Sequence, residues 1–143
     1  MAVRTYDPGQ FVVTVGGGQI SGFADGTFVT IMRSNDAFTK VTGPDGVTSR
    51  AKSGDRSGEM TLTLTQTSPS NDFLSGIALA DELTNTGVVP IMVKDISGRS
   101  VYFSGNGWIR KTPESSFGKE IENREWVFDL ADMDIFLGGN GNL

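Results

Sequence analysis

The chain contains neither cysteine nor histidine. Without cysteine there are no disulfides, thiolate metal sites, sulfur nucleophiles or redox pairs. Without histidine the commonest general base and metal ligand is gone. Most catalytic constellations are thereby closed. Positive charge is also scarce: 12 Lys and Arg stand against 17 Asp and Glu, a net charge of −5. That balance argues against tight binding to nucleic-acid phosphates, which requires clustered cations. No apolar run approaches the roughly 20 residues that span a bilayer. The segment Met1-Ala2-Val3-Arg4-Thr5-Tyr6 lacks the apolar stretch of a signal peptide. The chain is therefore expected to stay in the cytoplasm where it is made, unless specialised machinery moves it.

What the chain does have is glycine, 19 residues in 143, which implies many turns and hence many short strands. Its length suits one domain, residues 1–143, with a real core. The most informative stretch is Met60-Thr61-Leu62-Thr63-Leu64-Thr65-Gln66-Thr67, where apolar residues and threonines alternate with a period of two. Successive side chains of a strand point to opposite faces, so Met60, Leu62 and Leu64 belong to a core and Thr61, Thr63, Thr65 and Thr67 to the other side. A face with β-propensity but no charge suits a subunit contact or the wall of a polar channel; an ordinary half-exposed strand is the plainer reading.

Along the chain, a short arm (residues 1–9) precedes a strand Phe11–Val15, broken by Gly16-Gly17-Gly18. Gln19–Phe23 and Thr27–Arg33 read as a hairpin about Asp25-Gly26. Phe38 and Val41 mark a further strand ending at Gly43-Pro44-Asp45-Gly46. Residues 43–58 are poor in large apolar groups and carry Arg50, Lys52 and Arg56 against Asp45 and Asp55. They read as a long projecting loop or flexible hairpin, a length that is usually functional or disordered. Ser68-Pro69-Ser70-Asn71-Asp72 opens a helix with capping hydroxyls and an acidic first turn. Its stripe Phe73, Leu74, Ile77, Ala78, Ala80 and Leu83 packs on a sheet, and Asn85-Thr86-Gly87 ends it. Val88–Ile96 and Arg99–Ser104 form another hairpin about Ser97-Gly98, Trp108-Ile109-Arg110 continues the sheet, and Ile121–Leu137 reads as one strand with Trp126, Phe128 and Leu130 on one face. Residues 138–143 form a loose tail. Seven to nine strands and one helix predict a mainly β fold, an antiparallel β-sandwich or small barrel with a flanking α-helix.

Chemical motifs fail on inspection. Gly16–Gly22 lacks the Gly-Lys-Ser/Thr ending of a P-loop and has Ser21 where a dinucleotide fingerprint needs glycine. Gly138-Gly139-Asn140-Gly141-Asn142 occurs once and lacks the aspartate of calcium-binding repeats. Asp129, Asp132 and Asp134 lack a fourth clustered oxygen donor and read as a solvated or lumen-facing acidic strip. No glycosidase carboxylate pair stands out among 17 acids. Trp108 and Trp126 read as buried anchors of the sheet rather than a carbohydrate platform.

Nearly the whole length resembles the small structural proteins of contractile-tailed phages, and among them the tail tube proteins. The resemblance is carried by Tyr6-Asp7-Pro8, Val13-Thr14-Val15-Gly16-Gly17, Ile20 to Gly26 and Phe38 to Gly43. Most specific are Asp45-Gly46, Ser49 to Ser53 and Asp55 to Gly58, followed by Leu62 to Asp72 and Phe136-Leu137-Gly138-Gly139. It implies a fold shared with type VI secretion tube proteins: subunits in hexameric rings whose inner strands make a continuous β-barrel lumen, with the rings stacked inside a contractile sheath. It also implies a virion protein assembled in the host bacterial cytoplasm, with no enzyme activity and no cofactor. The partners implied are copies of itself, the sheath protein, and the tape-measure protein and phage DNA held loosely in the lumen. Mapped onto this architecture, Thr61, Thr63, Thr65 and Thr67 are candidates for the lumen wall or a subunit seam. Asp45, Arg50, Lys52, Asp55 and Arg56 are candidates for ring-to-ring stacking. An acidic conduit repels phosphates through a screened field, and strand pairing between subunits removes exposed sheet edges. A baseplate or tube-terminating protein and a monomeric β-sandwich binding module are the alternatives.

Overall fold

The alternating segment is realised as the longest-buried strand of the molecule. In the computed structural model, which describes Val3 and residues 5–139, β6 (Gly58–Thr65) places Met60, Leu62 and Leu64 fully inside while Thr61, Thr63 and Thr65 stay half-buried on the opposite face. Around it, in chain order, lie a 3-10 turn (Pro8–Gln10), β1 (Phe11–Val15), β2 (Gly18–Gln19), β3 (Val29–Arg33), β4 (Phe38–Thr42) and β5 (Thr48–Lys52). After β6 come α1 (Ser70–Thr84), β7 (Val89–Asp95), β8 (Val101–Lys111), β9 (Asn123–Leu130) and β10 (Asp134–Phe136). The fold is mostly β, with antiparallel sheets and, among the described residues, one helix. Parts of the N-terminal arm and of the C-terminal tail, residues 1, 2, 4 and 140–143, lie outside the described residues.

Eight strands form one antiparallel sheet in the order β2-β1-β7-β8-β9-β6-β3, with β10 added beside β8. Phe28, just before β3, and Phe11, opening β1, belong to opposite ends of that order. Their rings nevertheless meet edge-on with centroids 5.5 Å apart, so the sheet curls toward a barrel. The enclosed face holds Val13, Val15, Met60, Leu62, Leu64, Ile91, Val93, Ile109, Trp126, Phe128 and Leu130. The space among Ile31, Met60, Ile91, Leu130 and Met133 is only about 10 Å³, the close packing expected of a native core. Helix α1 closes one end. Leu74 and Ala78 enter the core, and buried Asn71 accepts from the Trp126 indole N–H at 3.0 Å while donating to the Thr65 carbonyl at 2.9 Å. One side chain thus joins the helix start, the end of β6 and the largest residue of β9.

Four local expectations are corrected. Gln19–Phe23 and Thr27–Arg33 do not form a hairpin: Gln19 and Ile20 pair with β1, while residues 22–24 and β3 turn to β6. Thr65 N–H donates to Gly22 O, Ala24 N–H to Thr63 O, and Thr63 N–H to Phe28 O, so Asp25-Gly26 is a bend between two segments that share one partner. Ile121–Leu137 is not one strand: the chain bends at Ala131-Asp132, Met133 is fully buried, and β10 departs to pair with β8. The helix has no side-chain cap at Pro69, its N-cap residue; Ser68 Oγ instead accepts from Ser70 N–H at 3.2 Å and donates to Ser21 O at 2.6 Å. Finally, the helical stripe is narrower than its apolar residues suggest: Phe73 and Leu83 are exposed, as is Leu79.

Candidate functional site

Antiparallel register identifies what shares a face with the threonines, because directly opposed residues project to the same side. Thr61 sits between Thr30 and Val127, Thr63 beside Glu125, Thr65 beside Asn123, and Glu59 between Met32 and Asp129. Trp108 lies opposite Asp129. This outer face of β3, β6, β9 and β8 is therefore a polar surface of hydroxyls and carboxylates. Its ion-paired cation is Arg110, whose guanidinium donates to Glu59 at 2.6 Å and also to Asp129. These two carboxylates hold the Arg110 pKa well above its ordinary value, first through the Asp129 hydrogen bond and then through Glu59. The face carries three carboxylates, Glu59, Glu125 and Asp129, against two cations, Arg110 and Lys111, the latter opposite Val127. Thr67 is not part of it, since the strand ends at Thr65 and Thr67 lies exposed in the following turn, its Oγ1 3.3 Å from that of Thr65.

The second feature is the β4–β5 hairpin, a two-stranded sheet of its own. Part of the 43–58 segment is thus strand: Thr48–Lys52 pairs with Phe38–Thr42, and Gly58 opens β6. Asp45 shapes the turn by accepting from Val47 N–H at 3.2 Å, and Gly46 there has φ +85°, a conformation glycine adopts freely. Every residue of both strands is exposed. The register Phe38↔Lys52, Lys40↔Arg50, Thr42↔Thr48 puts three cations and an aromatic ring on one face, and the register Thr39↔Ala51, Val41↔Ser49 puts small neutral groups on the other. The Arg50 guanidinium lies 4.3 Å from the Phe38 ring centroid, a cation–π contact that orders both side chains. Arg50 and Lys52 stand on that cationic face together with Lys40, which sequence reading missed; the pairing of residues on either side of the Gly43–Val47 turn was the signal.

Arg56 and Asp55 lie at the hairpin's foot rather than on its blade. Arg56 pairs with Asp132 at 3.5 Å and with Asp134, and these contacts, the Asp134 hydrogen bond first, raise its pKa. Asp55 accepts from Ser57 N–H at 2.9 Å and from the Asn35 amide; hydrogen bonds from Ser57 pull its pKa below the ordinary carboxylate value. The acidic strip Asp129, Asp132 and Asp134 is thus divided between two arginines, and no cluster of three metal-ligating side chains occurs among the described residues. Of the two tryptophans, Trp126 is buried, whereas Trp108 is half-buried and lines an open groove of about 290 Å³ beside Asp81, Glu82 and Lys111.

The chain is thus a curled β subunit with an uncovered sheet face rich in hydroxyls and carboxylates and a projecting hairpin that buries nothing. Residues 9–138 match the family of the bacteriophage PhiTE tail tube protein, and the chain belongs to that family. It is similar to Structural protein ORF10 of Pseudomonas phage KPP10, with 30% identity over 144 aligned residues, covering 95% of this chain and 83% of that protein. Among solved structures, the anti-feeding prophage tube-terminating cap superposes with a TM-score of 0.64 at 15% identity over 95% of this chain and 94% of that one. The sheath/tube terminator of an extracellular contractile injection system, PVC, gives 0.65 at 14% identity over 96% and 100%. The PVC sheath-tube complex gives 0.57 at 14% identity over 92% and 91%. The protein is a structural component of a phage tail and not an enzyme.

Proposed function

We propose that this chain is the subunit of a tail tube: it closes into rings, of six in the arrangement the family resemblance implies, and the rings stack into a conduit for phage DNA. The observation that carries the reading is the pairing of a hydroxyl- and carboxylate-covered sheet face with a hairpin that buries nothing in its own subunit. On this reading Thr61, Thr63 and Thr65, with Glu59, Glu125 and Asp129, line the lumen or its seams. Their negative charge keeps DNA phosphates from adhering, within the about 8 Å over which such fields act at physiological salt. The cationic face of the hairpin, Lys40, Arg50 and Lys52, meets acidic groups of the next ring, and Asp45 holds the turn. A contractile sheath surrounds the tube, and the tape-measure protein and DNA occupy it without specific binding. Assembly takes place in the host cytoplasm.

A tube-terminating ring is the second reading, favoured by the higher TM-scores to the cap and terminator structures, 0.64 and 0.65, than to the sheath-tube complex, 0.57. Electron microscopy of the purified chain separates the two. Long tubes support the tube subunit, isolated rings the terminator, and dispersed monomers at high concentration contradict both. Thr63→Lys sharpens the lumen assignment: it preserves the fold but sets a ring of cations against passing phosphates, so virions carrying it assemble yet eject DNA slowly. Normal ejection from normally assembled virions contradicts a lumen position.

A further inference from the structure

The hairpin's strands pair only with each other, so its direction is decided at its two feet, residues 33–37 and 53–58. These feet are held by one buried point, Met133. The Arg33 guanidinium donates to Met133 O at 2.8 Å and that of Arg56 to the same oxygen at 3.2 Å. A carbonyl oxygen has two lone pairs, so both donors are accommodated. In return Met133 N–H donates to Arg56 O at 2.9 Å. The Met133 side chain is fully buried, and it passes so close to Gly58 that a Cβ there lies 2.0 Å from its sulfur. The feet are also tied to each other: Ser53 N–H reaches Ala37 O at 2.8 Å and Ser34 N–H reaches Ser57 O at 3.1 Å. Asp132 and Asp134 flank the point and offset the positive charge of Arg56.

We propose that Arg56, supported by Arg33 and the carboxylates of Asp132 and Asp134, is a positioning residue for assembly: it clamps the hairpin to Met133 and thereby sets the angle at which the hairpin meets a second copy of this chain. The inference rests on the assembly reading but makes its own claim, that Arg56 acts within its subunit and not across the interface. Leverage makes the clamp matter. Five residues at roughly 3.3 Å each give an arm of roughly 17 Å, so a tilt of about 10° at the feet displaces the tip by about 3 Å, more than a cross-subunit hydrogen bond tolerates. A fixed arm meets its partner without the ordering cost of a swinging one.

The absence of native cysteine makes the test direct. Spin labels on Val47→Cys at the hairpin tip and Leu83→Cys on α1, both exposed, report tip position in full-length chain diluted with unlabelled protein. The expected result is a narrow distance distribution in the parent and a clearly broadened one in both Arg56→Ala and Asp132→Asn/Asp134→Asn. Val41→Ala, exposed on the blade's neutral face, leaves the width unchanged. The concentration needed for assembly rises several-fold in the clamp variants while their unfolding midpoints stay near the parent's. An unchanged width in both clamp variants overturns the proposal. So does broadening without any change in assembly, which makes the clamp irrelevant to function. A parent chain that never assembles counts against the tube reading and leaves the distance measurement to judge the clamp.

Discussion

Strand β6 and the β4–β5 hairpin are both regular antiparallel structure, yet they are held for opposite reasons. In β6 every second residue enters the core and neighbours flank both edges, β3 on one side and β9 on the other. In the hairpin nothing is buried, and an isolated two-stranded ribbon is marginal in water. Its order comes from the turn at Asp45-Gly46, the Arg50–Phe38 contact and the clamp at its feet. On the proposed reading the contrast assigns stability to one region and assembly to the other: chemistry removed from β6 costs folding free energy, and chemistry removed from the hairpin costs assembly rather than folding.

The largest effect is expected at the centre of the barrel. Leu62→Ala leaves a cavity in a fully buried site and is expected to cost about 2–5 kcal/mol, seen as a lowered denaturation midpoint at unchanged slope. Next comes Asn71→Ala, which strands the buried Trp126 indole N–H, while the Thr65 carbonyl keeps the Ser68 N–H at 3.0 Å; an orphaned buried group costs about 1–3 kcal/mol. A conserved midpoint in either variant breaks the claim that stability resides here. By contrast Val41→Ala and Val47→Ala, both on the exposed ribbon, are expected to change stability by no more than about 0.5 kcal/mol. A larger loss in thermal melts contradicts a hairpin without a core.

The smallest effect is a pH dependence at the hairpin foot. Hydrogen bonds from Ser57 depress the Asp55 pKa below its ordinary 3.8. The stabilisation they represent is complete above the unfolded value and is lost as pH falls through the lower folded one. Hydrogen exchange at the Ser57 amide is thus expected to be pH-independent in protection down to about pH 4 and to lose protection only below it. Loss of protection nearer neutrality removes Asp55 from the account.

What could be read from the chain alone follows the same division. The alternation in β6, the β7–β8 turn at Ser97-Gly98 and the helix between Ser70 and Thr84 are local patterns, and local patterns survive folding. The Asp25-Gly26 turn signal was equally strong and misled, because residues 22–28 satisfy their backbone on β6, some forty residues away along the chain. The break after Leu130 had no local mark, since what creates it is the burial of Met133 against Gly58. Arg56 looked like a surface cation because its carboxylate partner Asp134 is 78 residues distant. On α1, apolar residues occur on both sides of the helix, so periodicity could not tell the core pair Leu74 and Ala78 from the outward Leu79 and Leu83. The candidate face was legible as a pattern of threonines, while the carboxylates beside them emerged from cross-strand register and Arg110, at the irregularity between Ile109 and Lys111, from its ion pairs.

The measurement that bears most directly on the division of labour is electron microscopy of the purified chain beside a variant in which residues 38–52 are replaced by a Gly-Gly link. The 2.8 Å hydrogen bond between Ser53 N–H and Ala37 O shows that the ends to be joined are adjacent. The account predicts stacked tubes from the parent and folded subunits or single rings, with an unaltered melting temperature, from the shortened chain. Long tubes from the shortened chain would contradict it.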